Sequence, residues 1–177
     1  MSVNILGKNY PIATTTTLDF SDNQIANIPE SILLLTNLQE LYLNNNEITD
    51  IPESISSLTN LQILDLSDNK IKNIPESMSS LTNLQELYLY NNKITEIPDN
   101  ISSLTNLQEL HLDNNEITHV PDNISLLTKL QELYLSNNHI DNLYVVETMY
   151  FEHKDFSNQT PKPPQPHQIL HLPDIIV

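Results

Sequence analysis

The chain has 177 residues and a net charge of −16, from 23 acidic and 7 basic side chains, all of the latter lysine. Without arginine it is poorly made to grip nucleic-acid phosphates; with one glycine, Gly7, it cannot form a glycine-rich phosphate cradle; with no cysteine it has no disulfide and no thiolate nucleophile or metal ligand. No apolar run at the start reads as a signal peptide and none anywhere is long enough to span a membrane, which predicts a cytoplasmic, intracellular protein.

Residues 1–17 carry Val3, Ile5, Leu6, Tyr10 and Ile12 ahead of any regular pattern, and they are expected to form an N-terminal cap. From there an asparagine recurs at 23, 46, 69, 92, 115 and 138, an interval of 23. The copies around it read LTNLQELYLNNNEITDIPESISS (35–57), LTNLQILDLSDNKIKNIPESMSS (58–80), LTNLQELYLYNNKITEIPDNISS (81–103) and LTNLQELHLDNNEITHVPDNISL (104–126). A degenerate first copy, TTLDFSDNQIANIPESILL, precedes them, and a sixth, LTKLQELYLSNNHIDNLYV, begins at Leu127. Within a copy, Leu41 and Leu43 alternate with polar neighbours, the signature of a strand with one buried face. Asn46 follows where the chain must turn, and its amide can both donate to and accept from the backbone groups the turn exposes. Ile48, Ile51, Ile55 and Leu58 carry the core around the coil. Pro29, Pro52, Pro75, Pro98 and Pro121 fill one slot in five copies, which suits short helical or 3₁₀ pieces and excludes a solenoid of long helix pairs. One copy cannot bury its own apolar face, so stability requires stacking. The long crossover between successive strands makes them parallel.

Beyond the repeats, 144–156 hold Val145, Val146, Met149, Tyr150, Phe151 and Phe156, read as a degenerate repeat or C-terminal cap. Residues 157–177 are a Pro-rich tail with two PxxP spacings, and its last apolar residues are able to fold back on the final repeat or to bind a partner.

Each copy resembles a leucine-rich repeat, L-x-x-L-x-L-x-x-N-x-I-x-x-I-P, over about residues 12–143, in the 23-residue form of intracellular and bacterial members. The resemblance implies an α/β solenoid with about six repeats spanning 18–143. A parallel sheet lines its concave face and short helical or 3₁₀ segments its convex face. It also implies a non-catalytic scaffold for protein or peptide recognition.

Strand alternation then gives the outward residues of the sheet. One column runs Thr17, Glu40, Ile63, Glu86, Glu109, Glu132; the next runs Asp19, Tyr42, Asp65, Tyr88, His111, Tyr134; a third runs Ser21, Asn44, Ser67, Tyr90, Asp113, Ser136. A fourth slot holds Asp22, Asn45, Asp68, Asn91, Asn114 and Asn137. Stacked glutamates repel, which a basic partner would relieve, and tyrosine is enriched at binding hot spots. The candidate partner-binding residues are therefore Glu40, Tyr42, Ile63, Asp65, Glu86, Tyr88, Tyr90, Glu109, His111, Asp113, Glu132 and Tyr134, with Ile63 expected to point at solvent near Tyr42 and Tyr88. No spacing gathers a nucleophile, base and acid, and His167 and His171 lack further ligands, so neither catalytic residues, metal ligands nor a cofactor are assigned. The expected partner is a protein or peptide with a basic surface, bound by a monomer. The alternatives are a structural repeat fragment without a dedicated ligand, which the near-identity of the copies favours, and a carrier whose Pro-rich tail does the binding.

Overall fold

A computed structural model describes residues 1–141 together with Ile175–Ile176. The segment read as a C-terminal cap, 144–156, and the Pro-rich tail apart from that dipeptide lie outside the described residues. The chain opens with an antiparallel hairpin, β1 (Ser2–Ile5) and β2 (Lys8–Pro11). Its two-residue turn places Leu6 and Gly7 at φ 49° and 85°. Gly7 accepts that backbone freely, whereas Leu6 does so at a steric cost. The Gly7 N–H donates to Asn4 Oδ1 at 3.2 Å. Ile5 is fully buried, Val3, Tyr10 and Ile12 pack against the core, and the Tyr10 ring meets Phe20 edge-on with centroids 5.9 Å apart.

Six three-residue strands follow, one per copy: β3 (Thr17–Asp19), β4 (Glu40–Tyr42), β5 (Ile63–Asp65), β6 (Glu86–Tyr88), β7 (Glu109–His111) and β8 (Glu132–Tyr134). They pair in parallel, in sequence order, each residue beside its equivalent 23 positions on. β9 (Ile175–Ile176) adds a further parallel strand beside β8, opposite Leu133 and Tyr134. Between strands, 3₁₀ turns at Glu30–Leu34, Glu53–Ser57, Glu76–Ser80, Asp99–Ser103 and Asp122–Leu126 form the other wall. Each is preceded by its proline in extended conformation, φ −62° to −69°. The proline carbonyl accepts the first hydrogen bond of the turn, as in Ile55 N–H to Pro52 O at 2.9 Å. The proline thus stands just outside the turn, where its fixed φ helps and its missing N–H costs nothing.

The wall-to-wall space is filled by one continuous core. Leu41, Leu64 and Leu87 have no exposed surface, and neither do Leu43, Leu66 and Leu89 behind them. At the bends from strand to return segment the recurring asparagine is buried at 46, 69, 92 and 115, half-buried at 138 and exposed in the degenerate first copy at 23. Asn69 Oδ1 accepts from Ile48 N–H at 2.9 Å, and its Nδ2 reaches the carbonyls of Leu43, Leu66 and Ser67, each at 3.0 Å. Asn46, Asn92, Asn115 and Asn138 repeat the pattern one coil apart. A second ladder runs along the opposite edge. There Asn37, Asn60, Asn83 and Asn106 each donate to a carbonyl of the preceding coil, at 2.8–3.1 Å. In the sixth copy Lys129 stands in that slot and donates instead to Asn106 Oδ1 at 2.7 Å.

The fourth slot of the sequence reading has a backbone role. Asp22, Asn45, Asp68, Asn91, Asn114 and Asn137 all adopt left-handed φ, 54–59°. Asn and Asp tolerate that region better than other L residues, so the slot is filled for conformation before it is filled for contact.

The two asparagine positions make opposite demands. Asn69→Ala strands one buried N–H and several carbonyls, and is expected to cost about 3 kcal/mol or more, since each orphaned group costs about 1–3. Asn91→Gly is expected to be near neutral, and Asn91→Val to cost about 1–2 kcal/mol for its left-handed backbone. Urea denaturation of the three variants reads all of these, and an innocuous Asn69→Ala would contradict the ladder's role.

Candidate protein-recognition face

Three-residue strands in strict register stack equivalent residues about 4.8 Å apart. Glu86, Glu109 and Glu132 are direct neighbours in one column, and Tyr88, His111 and Tyr134 in the next. All twelve candidate residues lie along this face, and each is half-buried rather than free in solvent. That includes Ile63, expected to point at solvent: it is flanked in register by Glu40 and Glu86, and crowding between adjacent strands covers part of it.

The tyrosines are tied to the glutamates. Tyr88 Oη lies 2.6 Å from Glu109 Oε2 and 2.9 Å from Glu86 Oε2. Tyr42 and Tyr134 reach Glu40 and Glu132 of their own strands at 3.3 and 3.2 Å. The outward carboxylates are therefore hydrogen-bonded to the tyrosines beside them. A phenol has one proton, so Tyr88 can donate fully to only one of its two carboxylates. Burial pushes the Tyr88 hydroxyl well above its usual range, helped by its bonds to Glu109 and Glu86. Burial and then the Glu40 charge raise Tyr42 in the same direction.

Two aspartates of the same column behave differently. Asp65 Oδ1 accepts from the Ser67 hydroxyl at 2.6 Å and from its N–H at 3.0 Å. Ser67, read from the alternation as outward, is fully buried with its hydroxyl turned to that carboxylate. Asp19 makes the equivalent pair with Ser21, whose hydroxyl and N–H hold its carboxyl below the usual range. Asp65 is thus committed partly to its own turn.

His111 sits between the rings of Tyr88 and Tyr134, with centroids 4.8 and 4.2 Å away. Its Nε2 lies 3.7 Å from Glu109 Oε2 and 3.8 Å from Glu132 Oε2. The donor atoms of these three residues fall within 4.8 Å of one another, in a set able to hold a metal ion. No sequence motif marks them as metal ligands. The available signal was Glu-x-His on one strand with a glutamate 23 residues later. What brings them together is the rotamer of His111, on which register is silent. Tyr90 and Asp113, further along the strands, lie outside this cluster. Away from the sheet, a shallow depression of about 630 Å³ is lined by Thr95, Glu96, Ile97, Pro98, Thr118 and His119.

The tyrosine geometry sets an alkaline limit. Unfolded tyrosine ionises near pH 10.0, whereas folded Tyr88 keeps its proton. Above that pH the unfolded chain binds fewer protons than the folded one, so stability falls as pH rises, and the contribution is complete below it. Tyr88→Phe is expected to lessen this decline, and an ultraviolet titration to show Tyr42 and Tyr88 ionising late. Simultaneous titration of all tyrosines in the folded protein would contradict the arrangement.

A family model described as a leucine-rich repeat region matches residues 39–152, and one for two copies of leucine-rich repeats matches 16–58. A sequence search of curated proteins finds no match. Among solved structures, a leucine-rich repeat protein of Leptospira interrogans is 30% identical with a TM-score of 0.70, over 78% of this chain and 42% of that one. An internalin, InlF of Listeria monocytogenes, is 31% identical with a TM-score of 0.66, over 78% and 40%. The ectodomain of the plant receptor kinase GASSHO1/SCHENGEN3 of Arabidopsis thaliana, solved with CASPARIAN STRIP INTEGRITY FACTOR 2, is 36% identical, over 71% and 16%, with a TM-score of 0.65. The chain thus spans less than half the length of each. No helix among the described residues is long and apolar enough to cross a membrane. The 23-residue coil, its asparagine ladder and its parallel sheet agree with the matching models: the chain belongs to the leucine-rich repeat family, whose members are typically non-enzymatic protein-recognition scaffolds.

Proposed function

We propose that this protein recognises a protein or peptide through the acidic, tyrosine-bearing concave face, and that the partner presents lysine or arginine there. The observation that carries this reading is the glutamate column. Glu86, Glu109 and Glu132 lie side by side on consecutive strands. Among the described residues no lysine pairs with them; the one lysine–carboxylate pair, Lys70 to Glu47 at 3.2 Å, lies elsewhere. Unit charges about 5 Å apart repel by roughly 0.8 kcal/mol even in water, and rather more where the face is half-buried. The sheet cannot separate them, because register is fixed by the core beneath. An ammonium or guanidinium group seated between the carboxylates removes the repulsion and satisfies the acceptor that Tyr88 leaves short. The net charge of −16 attracts a basic partner over a distance and makes association salt-sensitive.

Tyr42, Ile63 and Tyr88 supply contact area beside the charges. The near-identity of successive copies, such as LTNLQELYL at 35–43 and 81–89, supports a second reading, a repeat fragment with no dedicated ligand. Partner capture from the native cell separates them. The chain is expected to retain a basic protein at low salt and release it as salt rises. Glu86→Gln/Glu109→Gln/Glu132→Gln should weaken retention at least about tenfold, as loss of a close charge pair costs well over 1.4 kcal/mol. Tyr42→Ala/Ile63→Ala/Tyr88→Ala should abolish it with the fold intact. Retention unchanged in both variants would reject the concave-face reading, and repeated capture of nothing would favour the fragment. Capture lost only on deleting 157–177 would assign binding to the tail.

A further inference from the structure

We propose that Glu109, His111 and Glu132 form a binding site for a single divalent transition-metal ion of the zinc class. The site is distinct from basic-partner recognition in the ligand it takes, although it shares two carboxylates with that face. Three donors from two adjacent strands converge: His111 Nε2 lies 3.7 and 3.8 Å from an oxygen of Glu109 and of Glu132, and all three donor atoms fall within 4.8 Å. Ligand atoms around a tetrahedral zinc ion, about 2.0–2.2 Å from the metal, stand roughly 3.4 Å from each other. Small rotations of half-exposed glutamate side chains close the difference, without moving the backbone.

The second observation is the state of the imidazole nitrogen. His111 Nε2 is sealed from solvent and has no hydrogen-bond partner. Without a hydrogen, it is a buried lone pair beside two carboxylates; carrying one, in the neutral or the charged ring, it is an N–H whose nearest acceptors, at 3.7 and 3.8 Å, are too distant for a hydrogen bond. A buried polar atom left unpaired in either form is costly, and a metal ion between the three groups satisfies it. The surroundings act as supports. Tyr88 and Tyr134 hold the ring from both sides. The Tyr88 hydroxyl fixes Glu109 Oε2 at 2.6 Å, the outer-sphere hydrogen bond that orients metal-binding carboxylates.

The donor chemistry selects the ion. One imidazole and two carboxylates suit zinc and its neighbours, whereas calcium and magnesium prefer all-oxygen shells. Three protein ligands leave a fourth position for water or for a partner's own ligand atom.

Titration of the full-length chain with zinc by calorimetry, and with cobalt(II) by visible absorption, tests this without any partner, so its failure leaves the basic-partner reading standing. The expected result is one equivalent bound, lost in His111→Gln and in Glu132→Gln, and weakened about tenfold in Tyr88→Phe. His139→Gln and the double variant His167→Gln/His171→Gln should bind like the parent. Circular dichroism and urea midpoints report whether each variant keeps the fold. In the parent, zinc should also shift the His111 imidazole nitrogen resonances. No binding by the parent, binding that survives His111→Gln, or binding lost only with His167 and His171 would each overturn the proposal.

Discussion

The fold depends on one constraint: a coil of 23 residues must turn away from a three-residue strand without leaving backbone groups dry and unpaired. A buried asparagine meets it. Its amide carries both an acceptor and donors, so one side chain closes the Ile48 N–H and the carbonyls of Leu43, Leu66 and Ser67 together. Because those partners belong to the coil before as well as its own, each asparagine also fixes the distance and rotation between neighbours. A strand of three residues has little stability alone; it is held because the bend after it is held. The second ladder of Asn37, Asn60, Asn83 and Asn106 does the same on the other edge, more exposed and so more tolerant, as Lys129 in the sixth copy illustrates.

The rigidity that follows makes the sheet face an unusual electrostatic object. A repeat that copies its core also copies its surface, so any charge in the consensus is stacked upon itself. Glu86, Glu109 and Glu132 are the result. Elsewhere the copying is interrupted. Ile63 breaks the glutamate column and Asp65 the tyrosine column in the same strand, and His111 replaces tyrosine two strands later. These departures divide the face into two parts. Near β5 it is apolar at Ile63, with an aspartate committed to Ser67; from β6 to β8 it is aromatic and acidic. A ligand that reads this surface is oriented by the asymmetry, since shifting it by one coil brings unlike residues under it.

Register was legible in the sequence because it is arithmetic: with period 23 and alternation of two, the column of every strand residue follows, and each of the six strands keeps the expected pairing. The core leucines followed for the same reason. What arithmetic could not supply was conformation and rotamer. Asp68 and Asn91 look like polar surface, yet their slot is chosen for a left-handed backbone. Ser67 alternates outward on paper but sits past the strand, where the chain has begun to turn, and its hydroxyl folds back on Asp65. Ile63 faces the outward side and is still half-covered, because strands 4.8 Å apart leave little room for free side chains. His111 and Glu132, 21 residues apart, become neighbours only when a ring tilts between two tyrosines.

Those same unread features decide what the face can do. A solvated column of carboxylates on a flexible surface relaxes by moving apart and loses little by remaining unpaired. Here the backbone spacing is fixed by the ladders, the carboxylates are half-buried, and Tyr88 has a single proton to share between two of them. The imidazole beside them has its nitrogen closed off from water. Each arrangement lacks a positive charge in a definite place, and the solenoid has no freedom to redistribute the deficit. Preorganised acceptors of this kind need only small side-chain rotations to receive a cation, so little of the interaction is lost to ordering the site. A lysine side chain and a metal ion would exploit the same deficit by different geometry: the first needs only charge and acceptors, the second needs the histidine. That difference is what makes His111, rather than the glutamates it sits between, the residue that separates the two proposed ligands of the face.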